Sequence, residues 1–274
     1  VVKLEKISGN LKIVLGIIIL GAILFSGCTE KTGEQIGDNI PKETESSSTT
    51  AEKVSEPHWT YEGEEGPEHW AEIGYPDCAG KEQSPIDIPY VTPLHENDIS
   101  FNYNPSELEI SNNGHTIKVA DENNSMIVVD GNAYRLQQYH FHAPGEHTLN
   151  ETYNDMELHL VHQSEAGKYT VVGIMIKSGS ENKDYVPIWE HLPTIKGEQE
   201  NISSVKIDAN DLLPENLSYY RYNGSFTTPP CTEGVNWLFL SNSVELSKAQ
   251  IEAFQAIYSN NNRPIQPLND RKFI

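Results

Sequence analysis

The sequence predicts a mainly β protein, folded as one domain over residues 58–274. Three observations support this. Strand-length runs of alternating character recur through that region, bounded by Gly, Asn, Asp or Pro. Helical periodicity is scarce, and its best instance is Ser247 to Tyr258, where Ser247 is placed to cap and Ile251, Phe254, Ile257 and Tyr258 line one face. Composition changes at His58, where aromatic residues and turn signals replace a long polar stretch.

Taken in order, residues 1–28 read as a leader. Lys3, Lys6 and Lys12 accompany an apolar run from Ile13 to Phe25, too short for a comfortable membrane span, which ends at Ser26-Gly27-Cys28. That ending resembles the lipobox of prokaryotic lipoproteins, with Phe25 where leucine is more usual. The resemblance implies cleavage, a lipid on Cys28, and a protein exported to the outer face of the cell membrane or the periplasm. The alternative is an ordinary signal anchor with an inert Cys28. Residues 29–57 are polar and poor in large apolar groups, so they cannot bury enough surface to offset ordering entropy, and they read as a flexible linker.

Beyond His58 the strand-like runs are "LEISNN", "HTIKVA", "SMIVVD", "AYRLQQYHFH", "MELHLVHQ", "YTVVGIMIKS" and "NWLFLS". No internal repeat is visible. The chain carries 19 basic against 40 acidic residues. That balance offers no basic stripe to neutralise phosphates and argues against nucleic acid as a partner. Three cysteines are present. If Cys28 is lipidated, Cys78 and Cys231 remain, and in an exported protein an even remainder suggests one disulfide, two separate buried thiols being the alternative.

The stretch from Gln138 to Gln163 holds His140, His142, His147, His159 and His162, half of the chain's ten histidines. Side chains on a strand alternate faces. Gln138, His140 and His142 therefore share one face, while Tyr139 and Phe141 point into apolar packing. In the next run Glu157, His159 and Val161 share a face, and His162 takes the other. An antiparallel hairpin of the two runs brings His159 beside His140 and His142. Three neutral imidazoles with a fourth tetrahedral position open form the donor pattern of a catalytic zinc site. Gln138 and Glu157, each two residues before a candidate ligand, are placed to accept the second ring N–H of His140 and His159. His147 and His162 read as structural.

The segments "QYHFHAPGEHT", "ELHLVH", "GSFTTPPCTEGVNW", "HWTYEGEEGPEHW", "QSPIDI", "NNGHTIKV" and "NNRPIQPLNDRKF" resemble, in order, the signature segments of α-class carbonic anhydrases. The resemblance runs from about His58 to Phe273. It implies a mainly β (α+β) single domain with a large central, mostly antiparallel twisted sheet and short peripheral helices. It also implies a Zn(2+) enzyme, a lyase that hydrates carbon dioxide reversibly to bicarbonate and a proton by zinc-bound hydroxide. His140, His142 and His159 match the zinc ligands, and Gln138 and Glu157 match their hydrogen-bond partners. Thr227 matches the threonine that accepts from the hydroxide, and Glu146 the carboxylate that takes that threonine's proton. Thr228 matches a ligand-positioning threonine, and His115 the proton shuttle. Val161, Val171, Phe226, Val235 and Trp237 match the apolar wall where carbon dioxide rests. Tyr61 and Tyr222 match members of the polar network, and Cys78 and Cys231 match a disulfide of secreted members.

Two positions depart from the family pattern. Phe226 stands where leucine is common, and Lys118 where a neutral polar side chain is common. A lysine there is expected to raise the local potential and depress the pKa of His115. Two other functions remain open on the sequence: a catalytically silent relative acting as a binding domain, and a zinc-scavenging lipoprotein. The expected partners are carbon dioxide and bicarbonate, with membrane contact only through lipid at Cys28, in a monomer or dimer.

Overall fold

The computed structural model describes residues 57–89, 91–94 and 99–273. The expected leader with Cys28, and the linker up to residue 56, lie outside them. In chain order the strands are β1 (Asp87–Ile88), β2 (Ile99–Asn102), β3 (Ser106–Asn112), β4 (Ile117–Ala120), β5 (Met126–Val129), β6 (Asn132–His142), β7 (Thr148–Leu149) and β8 (Thr152–Tyr153). They continue with β9 (Met156–Gln163), β10 (Tyr169–Gly179), β11 (Gln199–Ile207), β12 (Tyr219–Ser225), β13 (Glu233–Leu240) and β14 (Val244–Ser247). Two short helices, α1 (Val186–Trp189) and α2 (Lys248–Gln255), complete the set with a few 3-10 turns. Each strand-like run named from the sequence overlaps one of these strands.

The main sheet runs β11-β3-β4-β6-β9-β10-β13-β12, with β5 and β2 continuing from one part of β6 and β14 from one part of β10. Its pairings are antiparallel except those of β10 with β13 and with β14. β10 is long enough to take both parallel partners, β13 along Thr170–Gly173 and β14 along Ile176–Gly179. The three small strands β1, β7 and β8 form a separate sheet.

Both faces of the main sheet are covered, so its central strands are buried nearly throughout. Alternation still sorts their side chains. Leu158 and Leu160 of β9, Val172, Ile174 and Ile176 of β10, and Leu238 and Leu240 of β13 enter one core. Their neighbours Val161, Val171, Met175, Val235, Trp237 and Phe239 enter a second core on the opposite face. Tyr139 and Phe141 of β6 go with the first, as the sequence predicts. A bulge at Gln137, between the pairs Leu136–His162 and Gln138–Val161, lets Leu136 join that core too. Without the extra residue, Leu136 would share a face with Gln138 and His140.

The first core also buries Ile251 and Phe254 of α2. That helix begins where the sequence places its cap. The Ser247 hydroxyl accepts from Gln250 N–H, and the Gln250 side chain accepts from Ser247 N–H. Phe254 then meets Phe141 edge-on, with ring centres 5.9 Å apart.

His162 lies in this first core, facing away from the other histidines. Its Nε2 accepts from the Tyr103 hydroxyl at 2.9 Å and its Nδ1–H donates to the Thr170 carbonyl at 3.3 Å. Burial lowers its pKa from 6.5 to about 3. The unfolded chain therefore takes up this proton first as pH falls. The stability contributed is complete above about pH 6.5 and is lost progressively toward about pH 3. The His162→Gln variant is expected to lose about 2–3 kcal/mol less between pH 7 and pH 4.5 than the parent. Urea unfolding at the two pH values measures this, and an unchanged pH slope contradicts it.

Candidate metal centre

His140 and His159 are directly opposed across the β6–β9 ladder, with Gln138 opposite Val161 and His142 opposite Glu157. The register places all three candidate imidazoles on the face that carries the second core. Ring centres are 5.1 Å apart for His140 and His142, 5.3 Å for His140 and His159, and 4.7 Å for His142 and His159. One nitrogen from each converges, with all three within 4.8 Å of one another.

Which nitrogen faces inward follows from what holds the other. His140 Nδ1–H donates to Gln138 Oε1 at 2.9 Å, leaving Nε2 free. His142 Nδ1–H donates to the Asn261 carbonyl at 2.6 Å, leaving Nε2 free. His159 Nε2–H donates to Glu157 Oε1 at 2.6 Å, leaving Nδ1 free. Each inward nitrogen thus carries a lone pair. Burial lowers the pKa of His140 well below the usual range, helped by the two neighbouring rings and by Lys118. Burial also lowers that of His142. These two rings are thereby held neutral, as metal ligands must be.

The fit to a divalent cation is visible in what lacks a partner. His142 Nε2 and Glu146 Oε2 are both buried with no hydrogen bond. They lie 3.5 Å apart, and His159 Nδ1 is 3.9 Å from the same carboxylate oxygen. Orphaned buried polar atoms are rare unless an ion or ligand belongs there. Three imidazole nitrogens suit zinc, and the convergent set contains the histidines without Glu146, so a fourth position stays open. Among the described residues the only cysteines, Cys78 and Cys231, are joined to each other.

A second convergent group, His147 with Glu157 and His159, is explained by hydrogen bonding. Glu157 Oε1 accepts from both His147 Nδ1 and His159 Nε2, and Oε2 accepts from the backbone of Glu146 and His147. Burial pushes the Glu157 carboxyl up, but the electrostatic influence of His147 and the bonds from His147 and His159 outweigh it and hold it well below the carboxylate range. His147 Nε2 continues the chain to the Tyr222 hydroxyl at 2.6 Å, and Tyr222 to Ser84 Oγ at 2.8 Å. The sequence reading assigned His147 no part in this chain.

Above the histidines lies a cleft of about 120 Å³, lined by Trp59, Tyr61, Asn113, His115, Thr116, Lys118, Gln138, His140, His142 and Thr228. His115 sits half-buried, stacked on Trp59 at 3.7 Å between ring centres. Burial, then the charge of Lys196, then His58, lower its pKa from 6.5 to about 4. The cation acting on His115 is thus Lys196, while Lys118 acts on His140. The sequence alone suggests Lys118 in that role. Lys118 instead stands directly opposite His140 in the β4–β6 ladder.

Val161, Val171, Val235 and Trp237 are buried together in the second core, with Phe226 packed against them. The extra size of Phe226 is taken up against Tyr169, edge-on at 4.8 Å. Tyr61 places a buried hydroxyl without a partner beside the cleft.

Thr227 is buried and Thr228 half-buried, on the loop between β12 and β13. That loop is tied by Cys231 N–H to the Thr228 carbonyl and by the Cys78–Cys231 disulfide. Glu146 Oε1 accepts from Arg263 N–H at 2.7 Å, while Oε2 has no hydrogen-bond partner, so the bond expected from the Thr227 hydroxyl is not formed in this structure.

Nothing in the sequence assigns a role to Asn261 or Arg263. Asn261 holds His142 through its carbonyl, and its side chain bonds Ala143 N–H and the carbonyls of His115 and Phe141. The buried Arg263 guanidinium donates to Gln83, to the Ser84 carbonyl and to the Cys78 carbonyl. These partners are over a hundred residues apart in sequence, where no local periodicity signals them.

Because Gln138 fixes the His140 ring, Gln138→Ala is expected to weaken zinc binding about 10- to 100-fold. Competition with a chromophoric chelator measures this, and parental affinity contradicts it.

A profile of the eukaryotic-type carbonic anhydrase family matches residues 65–274. A carbonic anhydrase of Klebsiella pneumoniae is 41% identical over 223 residues, covering 79% of this chain and 90% of that protein. The α-carbonic anhydrase of Thermovibrio ammonificans, solved with sulfanilamide, superposes with a TM-score of 0.77 at 43% identity, covering 80% of this chain and 99% of that one. The α-carbonic anhydrase of Photobacterium profundum gives a TM-score of 0.75 at 38% identity, covering 79% and 99%.

Proposed function

The chain belongs to the eukaryotic-type, or α, carbonic anhydrase family of zinc enzymes that hydrate carbon dioxide, and from that premise we propose how its own residues divide the work. His140 Nε2, His142 Nε2 and His159 Nδ1 hold the zinc, and Gln138, Asn261 and Glu157 hold the rings. The observation that carries this reading is the set of three lone pairs aimed at one point beside an unpartnered carboxylate oxygen. Zinc bound there supplies a Lewis acid that makes water a nucleophile near neutral pH.

The remaining roles belong to the protein. Glu146, fixed through Oε1 by Arg263 N–H, offers Oε2 as acceptor for the Thr227 hydroxyl. A Thr227 that donates its proton to Glu146 can only accept from the nucleophile, which orients the attacking lone pair. Val161, Val171, Val235, Trp237 and Phe226 give an apolar wall for carbon dioxide, and Thr228 positions ligands at the cleft. Tyr222 extends the polar network through His147, and Tyr61 turns a free hydroxyl toward the cleft. His115, stacked on Trp59 at the cleft with its pKa lowered to about 4, takes up the released proton only transiently and passes it outward.

Stopped-flow carbon dioxide hydration with and without a chelator tests the reading. Activity is expected to vanish on chelation and return with zinc. Zinc-loaded protein without hydration would instead indicate a silent binding relative or a scavenger.

Export with a lipid at Cys28 also stands as a proposal. Support comes from the apolar run Ile13–Phe25 before Ser26-Gly27-Cys28 and from the Cys78–Cys231 disulfide, which persists in oxidising compartments. Mass spectrometry of the mature N-terminus decides it, and an unmodified Cys28 contradicts it.

A further inference from the structure

The chain is strongly acidic, with a formal net charge of -21. Among the described residues that line the cleft above the histidines there is nevertheless no carboxylate, and the one permanently charged side chain is Lys118. Lys118 is half-buried on β4, opposite His140. Among the described residues it forms no ion pair.

Lys196, which also forms no ion pair among the described residues, reaches over from a neighbouring loop. Gly114 has φ +91, and a Cβ built on it would lie 2.4 Å from Lys196 Cε and 3.0 Å from its Nζ. The Lys196 stem therefore lies directly across the turn that carries His115. Backbone bonds fix that loop: Asn112 N–H donates to the Glu198 carbonyl, and Gly197 N–H to the Asn112 carbonyl. The loop's own acid is turned elsewhere, since Glu198 Oε2 accepts from Ile195 N–H. Glu62 and Glu68 line an adjoining hollow that shares Tyr61 with the cleft.

We infer that Lys118 and Lys196 form a cationic guide that draws bicarbonate, and small monovalent anions like it, into a cleft the rest of the molecule would repel. The inference rests on the proposed carbon dioxide hydration. Carbon dioxide is uncharged and feels neither lysine. Bicarbonate carries one negative charge, and long-range repulsion from the acidic surface opposes its approach. Lys118, half-buried in the cleft wall, and Lys196, exposed on the loop across Gly114, add to the positive potential of the proposed zinc locally, where the anion must settle or leave. The equilibrium of the reaction fixes the ratio of kcat/KM for the two directions at a given pH. The lysines therefore cannot favour one direction, and their effect is read in anion affinity.

The probe is thiocyanate, as an inhibitor of hydration by the zinc-loaded full chain, with ionic strength set by sodium sulfate. At ~0.01 M the Lys118→Gln/Lys196→Gln protein is expected to show an inhibition constant about three- to fivefold above the parent's. At ~0.3 M the difference is expected to shrink toward none, because screening removes it. The Lys118→Arg/Lys196→Arg protein, which keeps both charges, is expected to retain the parental constant. An active parent whose inhibition constant and salt dependence are unchanged in the glutamine protein overturns the inference while leaving the proposed reaction standing. An arginine protein as weak as the glutamine one overturns it too, by assigning the effect to packing. A parent with no chelator-sensitive hydration overturns the reaction and this inference with it.

Discussion

The His142→Ala protein is expected to retain little zinc and to hydrate carbon dioxide at least about a hundredfold more slowly than the parent. The estimate starts from the 10- to 100-fold cost of disturbing a partner of a metal-bound ring, which loss of the ring itself should exceed. His142 is the ring with least freedom to be replaced. It is fully buried, its Nδ1 is fixed on the Asn261 carbonyl at 2.6 Å, and its Nε2 has no protein partner. It also lies within about one ring's width of both other histidines. Alanine removes one donor of three and leaves the Asn261 carbonyl without its N–H. Metal analysis and stopped-flow hydration are read together, with near-ultraviolet circular dichroism to confirm a folded core. Parental zinc content in the folded variant would contradict the ligand assignment.

Glu146→Gln is the second large effect, and it separates chemistry from metal binding. Glutamine keeps the shape and can keep the Arg263 N–H bond through its oxygen. Its amide nitrogen then occupies the place of Oε2, putting a donor where the carboxylate offers an acceptor. The Thr227 hydroxyl would lose its proton acceptor and the control it exerts over the nucleophile. Turnover is expected to fall about a hundredfold or more, at the low end of what positioned proton transfer contributes, with zinc content unchanged. A variant within about twofold of parental turnover would remove Glu146 from the mechanism.

What the sequence made legible was whatever depends on local periodicity. Alternation placed His140, His142 and His159 on one face and His162 on the other. Spacing of two found Gln138 and Glu157, and a cap with its apolar stripe located α2. The family resemblance added the pairing of Cys78 with Cys231, the apolar wall and the loop threonines.

What escaped was set by tertiary packing. The partner of His142 is a backbone carbonyl at Asn261, which any residue type supplies. Arg263 acts on Glu146 through its backbone N–H, again without a side-chain signature. His147 shares the Glu157 carboxylate with His159 only because the turn after β6 folds back over the sheet. Lys196 acts on His115 because a loop 82 residues downstream of Gly114 lies over that glycine, a contact no local pattern signals.

The most direct test is zinc X-ray absorption on the purified protein, with metal quantified in the same sample. The account predicts one zinc per chain, bound by three imidazole nitrogens and one light non-protein atom. Absence of zinc, or a shell closed by four protein side chains, would contradict it.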